Sequence, residues 1–500
     1  MNVFHDLIYG FGVALQPPNL FSCFIGVLIG TLIGVLPGIG PVGAMSILLP
    51  VTFGMPPLAA IIMLAGIYYG SMYGGSTTSI LVNIPGEAAS VVTCLDGYQM
   101  ARQGRAGPAL GIAAFGSFIA GTLGLFGLMF MANPLAAFAV KFGPAEYFSL
   151  MCLGLSVLLY LTHGSILKGL VMAGMGLFLS LIGQDIVTGK VRFAFGLFGL
   201  QDGVGLVPLV MGLFGISEVL LNLEQAGERI ILTTKIRHLL PTKEDWRKSA
   251  KPIGRGSLMG FFLGILPGGG AVIASFLSYA IEKRFSREPE RFGKGAIEGV
   301  AGPESANNSA TSGAFIPLFS LGIPANVVMA LLLGALMIHG LRPGPLMITD
   351  RPEIFWGTVA SMYVGNMMLL ILNLPLIGIW VRVLKIPYRI LFPLILLFCL
   401  IGAYCINGNA FDIWVMIVFG LIGYVFRKAN YEPAPLVLAF VLGPMLEQNL
   451  RQALILSDGS AAVFVTHPIS AVCLATSFFL LISSVFPYIQ RRRRVLNEST

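Results

Sequence analysis

The sequence has little charge, and long parts of it have none. Asp, Glu, Lys and Arg together make up 11% of the 500 residues, against about 25% in a typical soluble domain. No charged residue or histidine occurs from Leu7 to Gly86 or from Ala106 to Val140. A membrane-spanning helix needs about 20 mainly apolar residues, and both runs are longer than that. The scarcity of charge excludes a soluble fold and predicts an all-α polytopic membrane protein.

The sequence also lacks the short motifs of several enzyme classes. It has no Walker A motif, no GxSxG and no HExxH, so neither ATP hydrolysis nor the corresponding hydrolase chemistry is indicated. The six cysteines are scattered without a CxxC pair, which is typical of small core residues. We therefore expect a protein that is not an enzyme and has no cofactor.

Basic residues are concentrated in the loops between the apolar runs. The formal net charge is +8, but this distribution fits the positive-inside rule of membrane proteins and not nucleic-acid binding. The tail Arg491–Arg494 follows the last apolar run, and we expect it to contact anionic lipid from the cytoplasm. The loop 340–353 has no net charge and is predicted outside. The other loops predicted to be cytoplasmic are 98–106, 223–256, 281–295, 381–389 and 427–428.

These loops divide the chain into four segments. The predicted segments are a first membrane repeat at 1–222, a cytoplasmic linker at 223–256, a second membrane repeat at 257–468, and a C-terminal helix with a cytoplasmic basic tail at 469–500. Spans that satisfy all basic loops are predicted near 108–132, 146–161, 165–182, 204–222, 354–380, 390–406, 413–426, 433–444 and 469–489.

One short stretch occurs twice, as GTLIGVLPGIGP at 30–41 and GFFLGILPGGGA at 260–271. Pro and Gly are the poorest helix formers, yet both copies place them inside apolar sequence. Basic loops flank the second copy on both sides, which predicts that 257–281 enters and leaves on one side of the membrane as two arms of about ten residues. The first copy has no basic flank and is predicted to enter from the opposite side. The predicted hairpin tips are Pro37, Gly38, Gly40, Pro267, Gly268 and Gly270.

The two copies therefore predict an inverted-topology repeat with two re-entrant hairpins. The alternative interpretation is a pair of ordinary spanning helices that are kinked at proline.

A polar segment follows each copy, at 68–90 and at 302–328. We expect broken helices there, because unwound backbone exposes helix ends and carbonyls that suit anions and cations such as Na⁺. The predicted turns are Pro85, Gly86, Gly322 and Pro324. The candidate substrate-binding residues are Ser76, Thr77, Thr78, Asn83, Asn307, Asn308, Ser309 and Asn326. Hydrogen bonding between helices is the alternative role for these polar groups. Glu87 and Glu304 lie at the ends of the segments, where an acid is either a proton or cation site or a helix cap.

Several long blocks resemble one family. The blocks are GVLPGIGPVGAMSILLP, AGIYYGSMYGGSTTSILVNIPGEAASVVTCLDGYQMARQGRAG, GILPGGGAVIASFLSYAIEKR, GKGAIEGVAGPESANNSATSGAFIPL, GALMIHGLRPGP and GNMMLLILNLPL. They resemble the TctA family, the large membrane subunit of the bacterial tripartite tricarboxylate transporters. The resemblance implies a secondary transporter of the cytoplasmic (inner) membrane that works with a small four-helix membrane subunit and a periplasmic solute-binding protein. It implies uptake of citrate or a related organic anion, driven by a gradient of Na⁺ or H⁺.

The sequence thus predicts an inverted repeat whose hairpins and broken helices meet around a carboxylate site, as in an elevator-type secondary transporter. Two other classes remain open. A membrane-embedded enzyme would need a nucleophile with its base, or a metal cluster, and an ion channel would need a repeated ring of charges or carbonyls.

Overall fold

The computed structural model describes residues 3–36, 40–161, 165–185, 188–224, 239–268, 270–384 and 388–498. Nearly all of this chain is helical. The helices of the first half are α1 Val3–Ala14, α2 Pro17–Val35, α3 Gly40–Leu48, α4 Pro57–Val82, α5 Val91–Arg102, α6 Ala106–Ala139, α7 Pro144–Leu161, α8 Ile166–Ser180, α9 Leu206–Val210 and α10 Ser217–Glu224. A two-stranded antiparallel hairpin, β1 Gly183–Gln184 and β2 Val191–Arg192, follows α8.

The second half begins at α11 and is helical in the same way. Its helices are α11 Lys243–Ile265, α12 Gly270–Phe285, α13 Glu298–Leu321, α14 Val327–Ile338, α15 Met347–Asp350, α16 Pro352–Asn373, α17 Ile377–Val383, α18 Tyr388–Asn407, α19 Ala410–Lys428, α20 Ala434–Leu456, α21 Val463–Thr466 and α22 Pro468–Glu498. Short 3₁₀ turns lie at Leu49–Gly54, Ala88–Ser90, Phe198–Leu200 and Pro289–Arg291, and a π-helical turn lies at Met211–Ile216.

Six helical segments within the described ranges are long and apolar enough to cross a membrane. They are Pro17–Val35, Pro57–Val82, Ala106–Ala139, Leu206–Glu224, Pro352–Asn373 and Ala410–Lys428. The prediction of an all-α polytopic membrane protein is confirmed. The span predicted near 354–380 is interrupted, because α16 ends at Asn373 and α17 begins at Ile377.

The chain forms two compact units, and each takes residues from both halves of the sequence. The first unit comprises Met1–Ala137, Val207–Ile265 and Gly270–Tyr424, and the second comprises Phe138–Leu206, Leu266–Gly269 and Val425–Thr500. Of the predicted linker 223–256, residues 225–238 lie outside the described residues. Its last part, from Lys243, is the beginning of α11.

In the second unit, α7 packs against α20 and α22, and α8 packs against α20. Two arginines and two acids hold the β-hairpin to α20. The guanidinium of Arg192 lies 2.8 Å from a carboxylate oxygen of Glu447, and that of Arg451 lies 3.0 Å from Asp185.

Helices break at both copies of the LPG stretch. A residue before proline is disfavoured in the helical conformation, and α2 and α11 end at Val35 and Ile265, two residues before Pro37 and Pro267. A new helix begins at Gly40 and at Gly270, and both glycines have positive φ angles, of 63° and 48°. Gly268 also has a positive φ, of 78°. Pro37 and Gly38 lie outside the described residues.

The predicted hairpin arms are parts of longer helices. In the second copy, where two arms of about ten residues are predicted within 257–281, α11 has 23 residues and already begins at Lys243, and α12 has 16 residues. In the first copy, α2 has 19 residues and α3 has nine. At 1.5 Å per residue, α2 alone extends about 28 Å, close to the full hydrocarbon thickness. The re-entrant insertion of the hairpins and the inverted orientation of the halves stay predictions.

Glycines on α2 and α11 allow each of these helices to touch the backbone of a later helix. The contacts pair Gly26 with Met63, Gly30 with Ile67 and Gly34 with Ser71 on α4, and Gly256 with Gly302, Gly260 with Ala306 and Gly264 with Ala310 on α13. The glycines of the two halves differ by 230 in residue number, and their partners differ by 239. Small residues that let backbones approach are typical of helix packing in membranes.

The offset of 239 continues past the ends of α4 and α13. Asn83 and Gly322 follow these helices in the left-handed conformation, with φ of 60° and 72°. Pro85 and Pro324 come two residues later. Then Glu87 accepts a hydrogen bond from the N–H of Ala89, and Asn326 accepts one from that of Met329. The sequence repeat is thus also a repeat of local structure, from helix contact to helix end to the cap of the next helix.

The expectation of unwound polar segments was wrong for most of their length. α4 runs unbroken through Ser76, Thr77 and Thr78, and α13 runs unbroken through Asn307, Asn308 and Ser309. Hydroxyl groups in these helices bond to carbonyls one turn earlier, as Thr311 does to Asn307 O at 3.0 Å. Burial of both helices against their neighbours outweighs the low helix propensity of Gly, Ser, Thr and Asn. The breaks are confined to residues 83–87 and 322–326.

Candidate functional site

A polar network in the first unit centres on Glu304 of α13, whose side chain is fully buried. Its Oε2 accepts a hydrogen bond from the hydroxyl of Ser76 on α4 at 2.5 Å, and Asn307 Nδ2 lies 3.4 Å from the same oxygen. Its Oε1 accepts a hydrogen bond from the hydroxyl of Thr93 on α5. All three donors are neutral, and among the described residues no basic side chain bonds Glu304. Three helices therefore meet at one buried carboxylate.

Asn308 extends this network towards α6. Its Nδ2 lies 2.8 Å from Ser117 Oγ, 3.0 Å from the carbonyl oxygen of Glu304 and 2.5 Å from Asn307 Oδ1. Buried polar groups of this kind are costly unless they are hydrogen-bonded. The bonds hold the two adjacent amides in one orientation, so that the pair Asn307–Asn308 acts as a fixed polar group beside the acid.

A small cavity lies next to this network. It has a volume of about 10 Å³, which is about the space that one water molecule requires. An organic anion does not fit there unless the helices around it separate. The residues that line it are Tyr73, Ser76, Thr77, Leu110, Ala113, Ala114, Ser117 and Asn373.

Tyr73 joins the cavity to α16. Its hydroxyl donates to Asn366 Oδ1 at 2.5 Å. Asn366 Nδ2 lies 2.9 Å from the carbonyl oxygen of Phe118 and 3.1 Å from the hydroxyl of Thr122, both on α6. One amide thus ties α4, α6 and α16 together beside the cavity.

The structure brings together four of the predicted substrate-binding residues and separates the others. Ser76, Asn307 and Asn308 belong to the network, and Thr77 lines the cavity. Three further residues use their side chains to join helices at other places. Thr78 donates to Val35 O at 2.7 Å, Ser309 donates to Ser257 O at 2.6 Å, and Asn326 Nδ2 lies 3.1 Å from the hydroxyl of Tyr68. Asn83 is exposed at the end of α4.

The predicted turns have structural roles at the helix ends. Gly86 packs against the backbone of Gly34 and Gly75, where a side chain would not fit. Gly322 ends α13 in the left-handed conformation. A Cβ added to Gly322 would lie 2.8 Å from the carbonyl oxygen of Pro343. Glu87 caps the 3₁₀ turn at Ala88–Ser90, so the cap role proposed for an acid applies to it. Glu304 lies inside α13 and caps no helix.

Some residues of the site had only weak signals in the sequence. Ser117 is one of three polar residues in the charge-free run 106–140, together with Thr122 and Asn133. Asn366 and Asn373 lie in the block GNMMLLILNLPL. Thr93 and Tyr73 have no signal of their own, because only the packing of α4 and α5 against α13 places them near the carboxylate.

No group of three or more His, Cys, Asp or Glu that could hold a metal ion occurs within the ranges that the structure covers. A Na⁺ site built from hydroxyl and carbonyl oxygens is of another kind and stays a prediction.

Comparison with known proteins gives the family. The model of the tripartite tricarboxylate transporter TctA family matches residues 20–438. An Agrobacterium vitis protein described as an uncharacterized 52.8 kDa protein in the TAR-I ttuC' 3' region is 52% identical over 493 residues, which cover 99% of this chain and 98% of that protein. A second protein of that organism, from the TAR-II ttuC' 3' region, is 56% identical over 234 residues, 47% of this chain and 97% of that protein. No solved structure matches. The resemblance noted in the sequence is confirmed, and the chain belongs to the tripartite tricarboxylate transporter TctA family.

Proposed function

We propose that this chain carries out secondary active uptake of a tricarboxylate such as citrate, or of a related organic-acid anion, across the cytoplasmic (inner) membrane. In this proposal a gradient of Na⁺ or H⁺ drives uptake. A periplasmic solute-binding protein delivers the anion, and a small four-helix membrane subunit completes the transporter. The family supports a role in transport and the presence of partner subunits, because its members are the large subunit of a tripartite system.

The observation that carries the proposal is a set of neutral hydrogen-bond donors around the cavity between α4, α6 and α16, beside the two adjacent amides of α13. Hydroxyls and amides bind a carboxylate less tightly than arginine does, because they carry no opposite charge and lack its bidentate fork of N–H groups. A transporter must release its substrate in each cycle, so neutral donors suit this task. We assign the amides of Asn307 and Asn308, with the hydroxyls of Thr77 and Ser117, to the anion.

The size of the cavity implies a conformational step. With about 10 Å³, this arrangement represents a closed state, and α4 or α13 must move to admit a carboxylate. An elevator movement, in which the domain that carries the site slides against a scaffold of the remaining helices, is the mechanism that we propose for this step. The repeated glycine contacts, which give each half the same helix pair, support it.

Counterflow in proteoliposomes tests the proposal. Vesicles that contain the complete transporter and are loaded with unlabelled citrate should take up labelled citrate from outside. A channel gives no such transient accumulation, and an enzyme changes the label chemically. Vesicles that show no counterflow with citrate or other di- and tricarboxylates would contradict transport of organic acids.

The substitution Asn308→Ala tests the site. It removes three contacts of the network, so we expect substrate-dependent uptake to be lost while expression stays normal. Asn19→Ala is the matched control, because this buried amide on α2 bonds to the carbonyl of Val13, at 2.9 Å, and to no other side chain or backbone group that the structure describes. Equal uptake by both variants would show that Asn308 contributes to helix packing and not to substrate binding.

A further inference from the structure

Glu304 is a buried acid whose bonded partners carry no charge. A carboxylate in an apolar interior is costly unless it is paired with a cation or becomes neutral. The donors on Glu304 are two hydroxyls and one amide, and they stabilise a negative charge without cancelling it. A buried carboxyl with only neutral donors is suited to be charged in one state of the protein and protonated in another.

The distance between Ser76 and Glu304 fits direct exchange of a proton between the two side chains. Ser76 Oγ lies 2.5 Å from Glu304 Oε2, which is typical of a strong hydrogen bond between a hydroxyl and a carboxylate.

Ser76 can serve both protonation states of Glu304. Its hydroxyl oxygen lies 2.5 Å from Glu304 Oε2 and 3.3 Å from the carbonyl oxygen of Met72 in its own helix. When Glu304 is charged, the Ser76 hydroxyl donates to it. When Glu304 carries a proton, it can donate that proton to Ser76 Oγ, while the hydroxyl hydrogen turns to Met72 O. Because both states are fully bonded, neither strands a buried polar atom.

Ser76 also connects Glu304 to the substrate cavity, since Ser76 lines it. A proton from water in the cavity can therefore reach the carboxylate through one hydroxyl. Asn307 bonds to the same oxygen of Glu304 as Ser76 does, and it links the acid to Asn308, which we have assigned to the anion. Proton and anion would then occupy neighbouring places in one network.

Other ionisable groups face Glu304 from the helices around it. Tyr73 on α4, Glu87 before α5 and Cys94 on α5 interact with it electrostatically. Oε1 of Glu87 has no hydrogen-bond partner among the residues that the structure describes. Each of the two carboxyls, when it is charged, favours the protonated form of the other.

Two further charged groups that pack against α13, Glu282 and Asp96, are already paired. Arg255 on α11 bonds to Glu282 of α12, which packs against Gly302. Asp96 of α5, which packs against Gly299, accepts bonds from the hydroxyl of Tyr279 and from the N–H groups of Gly293, Gly295 and Ala296.

We propose that Glu304 takes up and releases the coupling proton of transport, and that Ser76 is the hydroxyl that joins it to the cavity. This inference rests on the proposed function, because it assigns the driving ion and its carrier within the same site.

The test compares two assays on the variant Glu304→Gln, which keeps the size of the side chain but cannot take up or release a proton. Proteoliposomes containing the complete transporter are given labelled citrate, either with an inward proton gradient or under counterflow conditions without a gradient. Counterflow requires no proton release, whereas accumulation does. We expect the variant to lose gradient-driven accumulation and to keep counterflow, while Ser320→Ala, which removes a hydroxyl on α13 bonded to Ala132 O, keeps both.

Other outcomes overturn the proposal in distinguishable ways. Accumulation that follows a Na⁺ gradient and survives in Glu304→Gln would remove Glu304 from coupling and leave the proposed function intact. Loss of both assays in the variant, with normal expression, would make Glu304 structural. Absence of counterflow in the unmodified transporter would contradict the proposed function itself.

Ser76→Ala provides a milder second variant. It removes one donor to the charged carboxylate and the hydroxyl that joins it to the cavity, so the midpoint of the pH profile of uptake should move to higher pH and the rate of accumulation should fall. An unchanged pH profile would exclude Ser76 as the connecting hydroxyl.

Discussion

Replacing Gly260 by alanine should force apart two helices that now touch through their backbones. An added Cβ would lie 2.7 Å from the Cα and 2.8 Å from the carbonyl carbon of Ala306, and closer still to its oxygen. These are backbone atoms of a buried helix, so no flexible side chain can move aside. Overpacking of this kind costs about 1–3 kcal/mol, while the better helix propensity of alanine returns about 1 kcal/mol.

Gly254 on the same helix is a matched control. It is exposed, and a Cβ there meets nothing within 4 Å. Gly254→Ala therefore gains the propensity without the clash, and the difference between the two variants isolates the helix contact at about 1–3 kcal/mol.

The assay is thermal unfolding of the purified protein in detergent at one fixed scan rate, because membrane proteins often unfold irreversibly and their apparent Tm depends on that rate. We expect the apparent Tm to fall for Gly260→Ala and to stay level or rise for Gly254→Ala. Equal values for both variants would show that α11 and α13 do not pack through this glycine, and the structural equivalence of the two halves would lose its main support.

Two further predictions concern topology and the end of α4. The topology test places single cysteines at the exposed positions Lys283 and Arg342, in a background where the exposed Cys405 is replaced. If the halves are inverted, the two cysteines should react with an impermeant thiol reagent from opposite sides of the membrane. Reaction of both from one side would refute the inversion. Asn83 has a φ of 60°, which costs an ordinary residue about 1 kcal/mol or more, so uptake should fall in Asn83→Ala and recover in Asn83→Gly if the conformation matters. Equal loss in both Asn83 variants would instead point to contact between its amide and the substrate.

The sequence was sufficient to predict the helix breaks at the two LPG stretches and at the two Ile-Pro pairs. The pairs Leu36–Pro37 and Leu266–Pro267 stop a helix by local sterics, and the Ile-Pro pairs at 84–85 and 323–324 mark the second break in each half. These effects act within a few residues and therefore can be read from the order of the residues. The extent of disruption between the breaks could not be predicted in this way, because the helicity of the Gly/Ser/Thr segment of α4 depends on burial against α2 and α16.

The composition of the site was predictable only in part. Asn307, Asn308 and Ser76 stood out as polar groups in apolar sequence. These side chains come together around Glu304 only because α4 and α13 pack against each other, and the two helices are more than 200 residues apart in the chain. Thr78 and Ser309 are also polar, and each lies within two residues of a member of the network, yet their side chains face α2 and α11. A rotation of about 100° per residue along a helix decides between the two roles.

The difference between the offsets 230 and 239 marks a place where the two halves of the chain differ in structure. Nine additional residues lie between the LPG stretch and α13, where α12 has 16 residues against the nine of α3. The loop after α12 offers the N–H groups of Gly293 and Gly295 to Asp96 on α5 of the other half. The counterpart of Asp96 on α14 is Ala335, which has no acceptor side chain. The contact between Asp96 and this loop therefore has no equivalent at that position of the second half, so the two copies of the repeat are not interchangeable in structure.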